Sequence, residues 1–144
     1  MLMNHYTNII RRLHIDIDKL NESNVDFKLV NNELTYKSYK FIIDYKYPFI
    51  SPKLMLDDTD YIHYFIKKYN VYNKKLPLIK VKCPCCYNIL CNWSPCYNLS
   101  TIFNEYKEYR DIYNKLFNFL IFYNAKMFDD LVYKTISEYF IDQY

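Results

Sequence analysis

Not one of the 144 residues is glycine. Such a chain has no residue that enters the left-handed backbone region without steric cost. Every turn that needs positive φ is expected to fall to residues whose short polar side chains tolerate it, asparagine first among them. The same absence removes whole classes of function. A glycine-rich phosphate loop and a dinucleotide-binding fingerprint both need backbone with no Cβ against the phosphates, and neither can be written here.

Composition bounds the rest. A chain that is 51% hydrophobic can bury a core and is not expected to be disordered. Its length fits one domain over residues 1–144, and no repeat or linker interrupts it. The eighteen tyrosines, with a surplus of Asn, Lys and Ile, are what an A/T-rich coding sequence produces, and no function is attached to them. Nineteen basic and sixteen acidic side chains leave a net charge of +3, too mild to imply a nucleic-acid partner. His5, Arg11, Arg12, Asp16 and Asp18 interrupt any apolar run at the N-terminus, so no signal peptide is expected. The most apolar stretch, Leu116 to Tyr123, is too short to cross a membrane. The expected location is cytoplasmic or nuclear, neither secreted nor membrane-spanning. An odd number of cysteines there predicts reduced thiols.

The apolar periodicity changes along the chain. Ile9, Ile10, Leu13, Ile17 and Leu20 predict a helix over 7–21. Val25, Phe27 and Leu29 alternate with Asp26 and Lys28 and predict a strand over 25–30, closed by an Asn31-Asn32 turn. Alternation resumes over 34–45, Pro48 and Pro52 break it, and a short strand is expected at 53–56. Asp57-Asp58-Thr59-Asp60 ahead of Ile62, Phe65, Ile66 and Tyr69 predicts a capped helix over 59–70. A short strand is expected at 78–82. Asn98 predicts the cap of a helix carrying Leu99, Ile102, Phe103 and Tyr106 to about residue 122. A final helix is expected at 127–141, with Phe128, Leu131, Val132, Thr135, Ile136, Tyr139 and Phe140 as its apolar stripe. Strands and helices are segregated, so the fold class is α+β: N-terminal helix, small antiparallel meander, cysteine loop, C-terminal helices.

All five cysteines lie within the fourteen residues Cys83 to Cys96, beside the only tryptophan, Trp93. That density points to a site, either a nucleophile or a metal cluster. For any one of these thiols the plain alternative is a small packed residue. Cys91 and Cys96 read first that way.

Two segments carry a resemblance. Tyr47-Pro48-Phe49-Ile50-Ser51-Pro52-Lys53-Leu54 resembles the YPFxPPKV signature of ubiquitin-conjugating enzymes. Trp93-Ser94-Pro95-Cys96-Tyr97-Asn98-Leu99-Ser100-Thr101-Ile102 resembles their WSPALTIxxV signature. Between them, Cys86-Tyr87-Asn88-Ile89-Leu90 resembles the CLDIL context of the family's nucleophile. The resemblance implies a ubiquitin-conjugating-enzyme-like fold that needs no cofactor. It implies that Cys86 carries ubiquitin or a ubiquitin-like modifier as a thioester and passes it to lysine. Counting back from Trp93 without a gap selects Cys85 as runner-up. The implied partners are the modifier, its activating enzyme and a ligase, met by the first helix at Arg11 and Arg12 and by the neighbourhood of Phe49 and Trp93. The plain alternative for the two arginines is a solvated basic face, and for Phe49 and Trp93 it is packing. The family's His-Pro-Asn motif has no counterpart, and only Leu76-Pro77-Leu78 stands near its place. A catalytically inactive protein-binding module on the same fold is therefore the alternative. In the family an asparagine amide stabilises the tetrahedral oxyanion; Asn73 or Asn88 is the candidate for that role here, though no motif places either there.

The same cysteines have a second spacing. Cys83, Cys86, Cys91 and Cys96 form C-x2-C-x4-C-x4-C, a zinc-knuckle spacing with cysteine in place of histidine. Tyr87 and Trp93 stand where knuckles stack bases, so a small zinc protein touching single-stranded nucleic acid is the second alternative. Zinc held there would use Cys86 as a ligand and exclude it from catalysis, and the inactive binding module on the conjugating fold would then itself be stapled by zinc through these cysteines.

Overall fold

The computed structural model describes residues 2–77 and 79–125, with 131, 132, 134–136 and 138. The chain divides into two compact units, Met1–Tyr61 with Asn88–Tyr106, and Ile62–Tyr87 with Lys107–Tyr144. The class is α+β, with an N-terminal helix, a small antiparallel sheet and helices after it. Among the described residues no helix is long and apolar enough to cross a membrane.

In the first unit α1 spans Leu2–Asn21, five residues longer at its start than the apolar period predicts. Its end is where the period places it, and the missing glycine explains how it stops. Asn24 takes φ 60° after the helix, and the Ser23 hydroxyl donates to the Leu20 carbonyl at 3.0 Å. Asn21 then fixes the exit. Its Oδ1 accepts the Phe27 N–H at 2.9 Å and its Nδ2 donates to the Phe27 carbonyl at 3.2 Å, as a neighbouring strand would.

Five strands follow as an antiparallel meander in chain order: β1 (Lys28–Val30), β2 (Glu33–Tyr36), β3 (Tyr39–Ile42), β4 (Lys53–Leu56) and β5 (Thr59–Asp60). Leu34 pairs with Phe41, and Phe41 with Leu54, so three fully buried side chains form one row across three strands. Each contributes about 1.5–3 kcal/mol by leaving water. Phe27 extends this core, with its ring 5.5 Å from both Phe41 and Phe103.

Three expectations change here. The alternation over 34–45 is two strands, because Lys37 at φ 53° turns the chain between β2 and β3. Asp57 and Asp58 do not cap a helix. Both take positive φ and close a two-residue hairpin, pairing Leu56 with Thr59 and Met55 with Asp60. The strand expected over 25–30 is only β1, whose three residues are exposed.

In the second unit α2 runs Tyr61–Lys75 from its second residue, so the expected helix over 59–70 starts and ends later. Phe65 stacks on Tyr113 with ring centroids 5.3 Å apart, and Tyr72 lies 5.8 Å from the same ring. Leu76, Ile79, Leu116 and Phe119 are buried in this unit as well. Residues 79–82 are irregular rather than a strand, and Leu78 lies outside the described residues. The long helix α3 spans Leu99–Asn124, through Tyr106 in the first unit and from Lys107 in the second. Of the last helix expected at 127–141, residues 131, 132, 134–136 and 138 are helical and the remainder lies outside the described residues.

Candidate functional site

The two segments that carry the resemblance meet in the first unit. The Tyr47–Pro48 peptide is cis, and the Pro48 carbonyl accepts the Trp93 indole N–H at 2.7 Å. The Tyr47 and Trp93 rings are 6.4 Å apart, and Trp93 and Tyr97 are 6.0 Å apart. Beside this contact lies a buried carboxylate. Asp16 is fully buried on α1, and its Oδ2 accepts the Tyr47 hydroxyl at 2.5 Å and the Arg12 Nε–H at 2.7 Å. Arg12 also donates to the Tyr97 carbonyl at 3.1 Å. An ionised carboxylate out of water needs such charge-assisted partners. Burial first, and then the bond to Asp16, raises the Tyr47 phenol well above its ordinary value. The bond to Asp16 also raises the Arg12 guanidinium.

The loop from Asn88 to Asn98 holds its shape without glycine. Asn88 is 2% exposed, and its Oδ1 accepts the Cys91 N–H at 2.9 Å. Asn92 donates back to the Asn88 carbonyl at 3.3 Å, and Tyr97 N–H bonds the Ser94 carbonyl at 2.9 Å. Asn98 caps α3 as expected. Its Oδ1 accepts the Thr101 N–H at 3.0 Å, while Thr101 Oγ1 accepts the Asn98 N–H at 3.3 Å.

One residue that fixes this loop is not singled out by any motif. Glu105 on α3 accepts the Ile89 N–H at 2.9 Å through Oε2 and the Tyr61 hydroxyl at 2.7 Å through Oε1. Its signal in the sequence is its position three residues after Ile102, on the apolar stripe of the predicted helix, where a carboxylate needs partners.

The remaining thiols belong to the second unit. Cys85 and Cys86 are exposed, with their Sγ atoms 3.2 Å apart. Cys83 is half-buried, and its Sγ accepts the Cys85 N–H at 3.5 Å. Hydrogen bonding to Cys83 first, and then to Cys86, pushes the Cys85 thiol up to about 12. Cys91 and Cys96, in the first unit, are exposed as well, so they are not the small core residues expected, and Cys86 is not a packed thiol. Among the described residues no group of three or more His, Cys, Asp or Glu side chains is arranged to hold a metal ion.

The expected partner residues separate in character. Arg11 is exposed on α1 and Phe49 is 64% exposed, whereas Arg12 and Trp93 are engaged in the contacts above. No protein-family model, curated protein or solved structure matches this chain.

Proposed function

We propose that this chain is a divergent ubiquitin-conjugating-enzyme-like carrier. Cys86 accepts the C-terminus of ubiquitin or a ubiquitin-like modifier from an activating enzyme and passes it to a lysine, with a ligase as a further partner. The observation that carries this reading is the hydrogen bond from Trp93 to the Pro48 carbonyl. It joins the two signature-like segments through a backbone atom of one and the only tryptophan of the other, within a unit of helix and antiparallel meander. In charging, the Cys86 sulfur attacks the activating enzyme's thioester carbonyl and expels that enzyme's thiol. In transfer, a lysine amine attacks the Cys86 thioester and the thiol leaves. A sulfur serves both steps because it is a good nucleophile and a good leaving group. An exposed loop lets both partners reach it. The raised Cys85 favours Cys86 of the two, since a thiol that titrates near 12 stays protonated at neutral pH.

Incubation with activating enzyme, ubiquitin and ATP tests the reading. The expected product is an adduct released by thiol reagents, replaced by a slower-cleaving ester in Cys86→Ser and lost in Cys86→Ala. An adduct that survives Cys86→Ala sinks the assignment and points to Cys85.

A second reading, a non-catalytic binding module on the same scaffold, draws support from Asn88. Its side chain is 2% exposed, so burial keeps its amide N–H groups from an incoming substrate oxyanion. Binding of ubiquitin without any adduct, followed by amide chemical-shift changes, would favour this module.

A further inference from the structure

We infer that Cys85 and Cys86 form a reversible oxidation site, at which a hydroperoxide converts the neighbouring thiols to an intrachain disulfide. The inference stands on the loop's own geometry and does not need the carrier function. The two sulfurs are 3.2 Å apart, both side chains are exposed, and both carry thiols. A third sulfur, that of Cys83, also stands beside Cys85: it accepts the Cys85 backbone N–H at 3.5 Å and is the first cause of the raised Cys85 thiol.

The chemistry balances in two steps. The Cys86 sulfur attacks the distal oxygen of the hydroperoxide, the O–O bond breaks, and the alcohol or water leaves. Cys86 becomes a sulfenic acid, two electrons more oxidised. The Cys85 sulfur then attacks the Cys86 sulfur, a sulfur–sulfur bond forms, and the sulfenic oxygen leaves as water with the Cys85 proton. The sum is two thiols and one hydroperoxide giving one disulfide, one water and one alcohol or water. The order of attack follows from the hydrogen bonding. Cys85 is the thiol held protonated by its neighbours, so it is the resolving partner rather than the first nucleophile.

Adjacency decides what kind of disulfide results. Neighbouring Cα atoms are about 3.8 Å apart across a trans peptide. Unstrained disulfides join Cα atoms about 4.4–6.8 Å apart. A bond between residues 85 and 86 is therefore strained and is reduced more readily than an ordinary structural disulfide. That suits a switch. If Cys86 is the acceptor thiol of the proposed carrier, oxidation removes its nucleophile and reduction restores it.

The test reads mass, not activity, so its result is separate from that of the charging assay. The full chain is treated with equimolar hydrogen peroxide, its remaining thiols are alkylated, and it is cut after Lys82 and after Tyr87. The expected Cys83–Tyr87 peptide carries one alkyl group and is about 2 Da lighter than its fully reduced form before alkylation. Mild dithiol reductant restores all five alkylatable thiols. Cys85→Ser should instead accumulate sulfenic acid on Cys86, about 16 Da heavier and trapped by a dimedone-type reagent. Cys91→Ser with Cys96→Ser should leave the result unchanged. Three alkylated thiols in that peptide overturn the inference, as does a single alkyl group located by fragmentation on Cys86 rather than Cys83, which would pair Cys83 with Cys85. So does an intact intrapeptide disulfide in Cys85→Ser, which would pair Cys83 with Cys86.

Discussion

The indole N–H of Trp93 donates to the carbonyl oxygen of Pro48 at 2.7 Å, across forty-five positions of sequence. The Pro48 oxygen belongs to the turn between β3 and β4, and Trp93 to the loop that leads into α3. A partly buried acceptor that loses its donor costs more than the hydrogen bond itself contributes. Trp93→Phe keeps an aromatic ring and removes the donor. The expected loss is about 1–2 kcal/mol, read as a lower denaturant midpoint with an unchanged slope.

Tyr47→Phe removes one of two donors to the buried Asp16 carboxylate and leaves Arg12 in place. The cost is about 1.5–3 kcal/mol at neutral pH, the range for hydrogen bonds to charged groups. The same substitution has a signature in alkali. Tyr47, Tyr72 and Tyr113 all have phenols raised above 10.0 by burial first of all. The unfolded chain gives up those protons at lower pH than the folded one. Their contribution is therefore complete below about pH 10 and declines as pH rises from there toward the raised folded values. Each phenol adds a slope of up to about 1.4 kcal/mol per pH unit in that window. Urea unfolding between pH 8 and pH 11.5 should fall more gently in Tyr47→Phe than in the parent. Parallel curves would show that Tyr47 titrates alike in both states.

Lys37 holds φ at 53° between β2 and β3. A side chain with no means of bonding its own backbone pays a steric cost of about 1–2 kcal/mol there. Lys37→Gly relieves it, less the extra entropy of an unfolded glycine, about 0.5–1 kcal/mol. The expected result is a net gain of up to about 1 kcal/mol. Asn31→Gly, at φ 57° in the preceding turn, should gain less, because asparagine tolerates that region. Equal gains at both sites would show that residue type does not matter in these turns.

Glu105→Ala deprives the buried Tyr61 hydroxyl and the Ile89 N–H of their shared acceptor. We expect a loss of about 2–3 kcal/mol. Hydrogen exchange at Ile89 should also quicken relative to exchange in the sheet, since the loop opens more readily than the core. Glu105→Gln keeps one acceptor oxygen and should cost about half as much. An Ile89 amide as well protected in Glu105→Ala as in the parent would rule out this anchoring role.

The elements legible from the chain alone are those whose signals are local. The end of α1, the strand at Lys53–Leu56, the Asn31 turn and the Asn98 cap of α3 each depend on a period or on a side chain bonding its own neighbourhood. The missing glycine also required turns of another kind, though not that lysine and two aspartates would make some of them. The Asp57-Asp58 hairpin read as a helix cap because the same acids suit both. Pairing of Leu56 with Tyr39 of β3 set β4 into the sheet, and the pairing of Thr59 back onto Leu56 then selected the hairpin. The site divides the same way. Five cysteines and two signature-like segments are visible in the chain, but spacing along it does not say which side chains touch. Packing in three dimensions decided that Trp93 reaches Pro48, that Asp16 lies buried against Tyr47, and that Glu105 holds the loop. It also decided that all of the thiols but half-buried Cys83 are exposed to solvent. The physical reason is that burial and long-range hydrogen bonds belong to the packed chain as a whole, and no window of the sequence contains both partners.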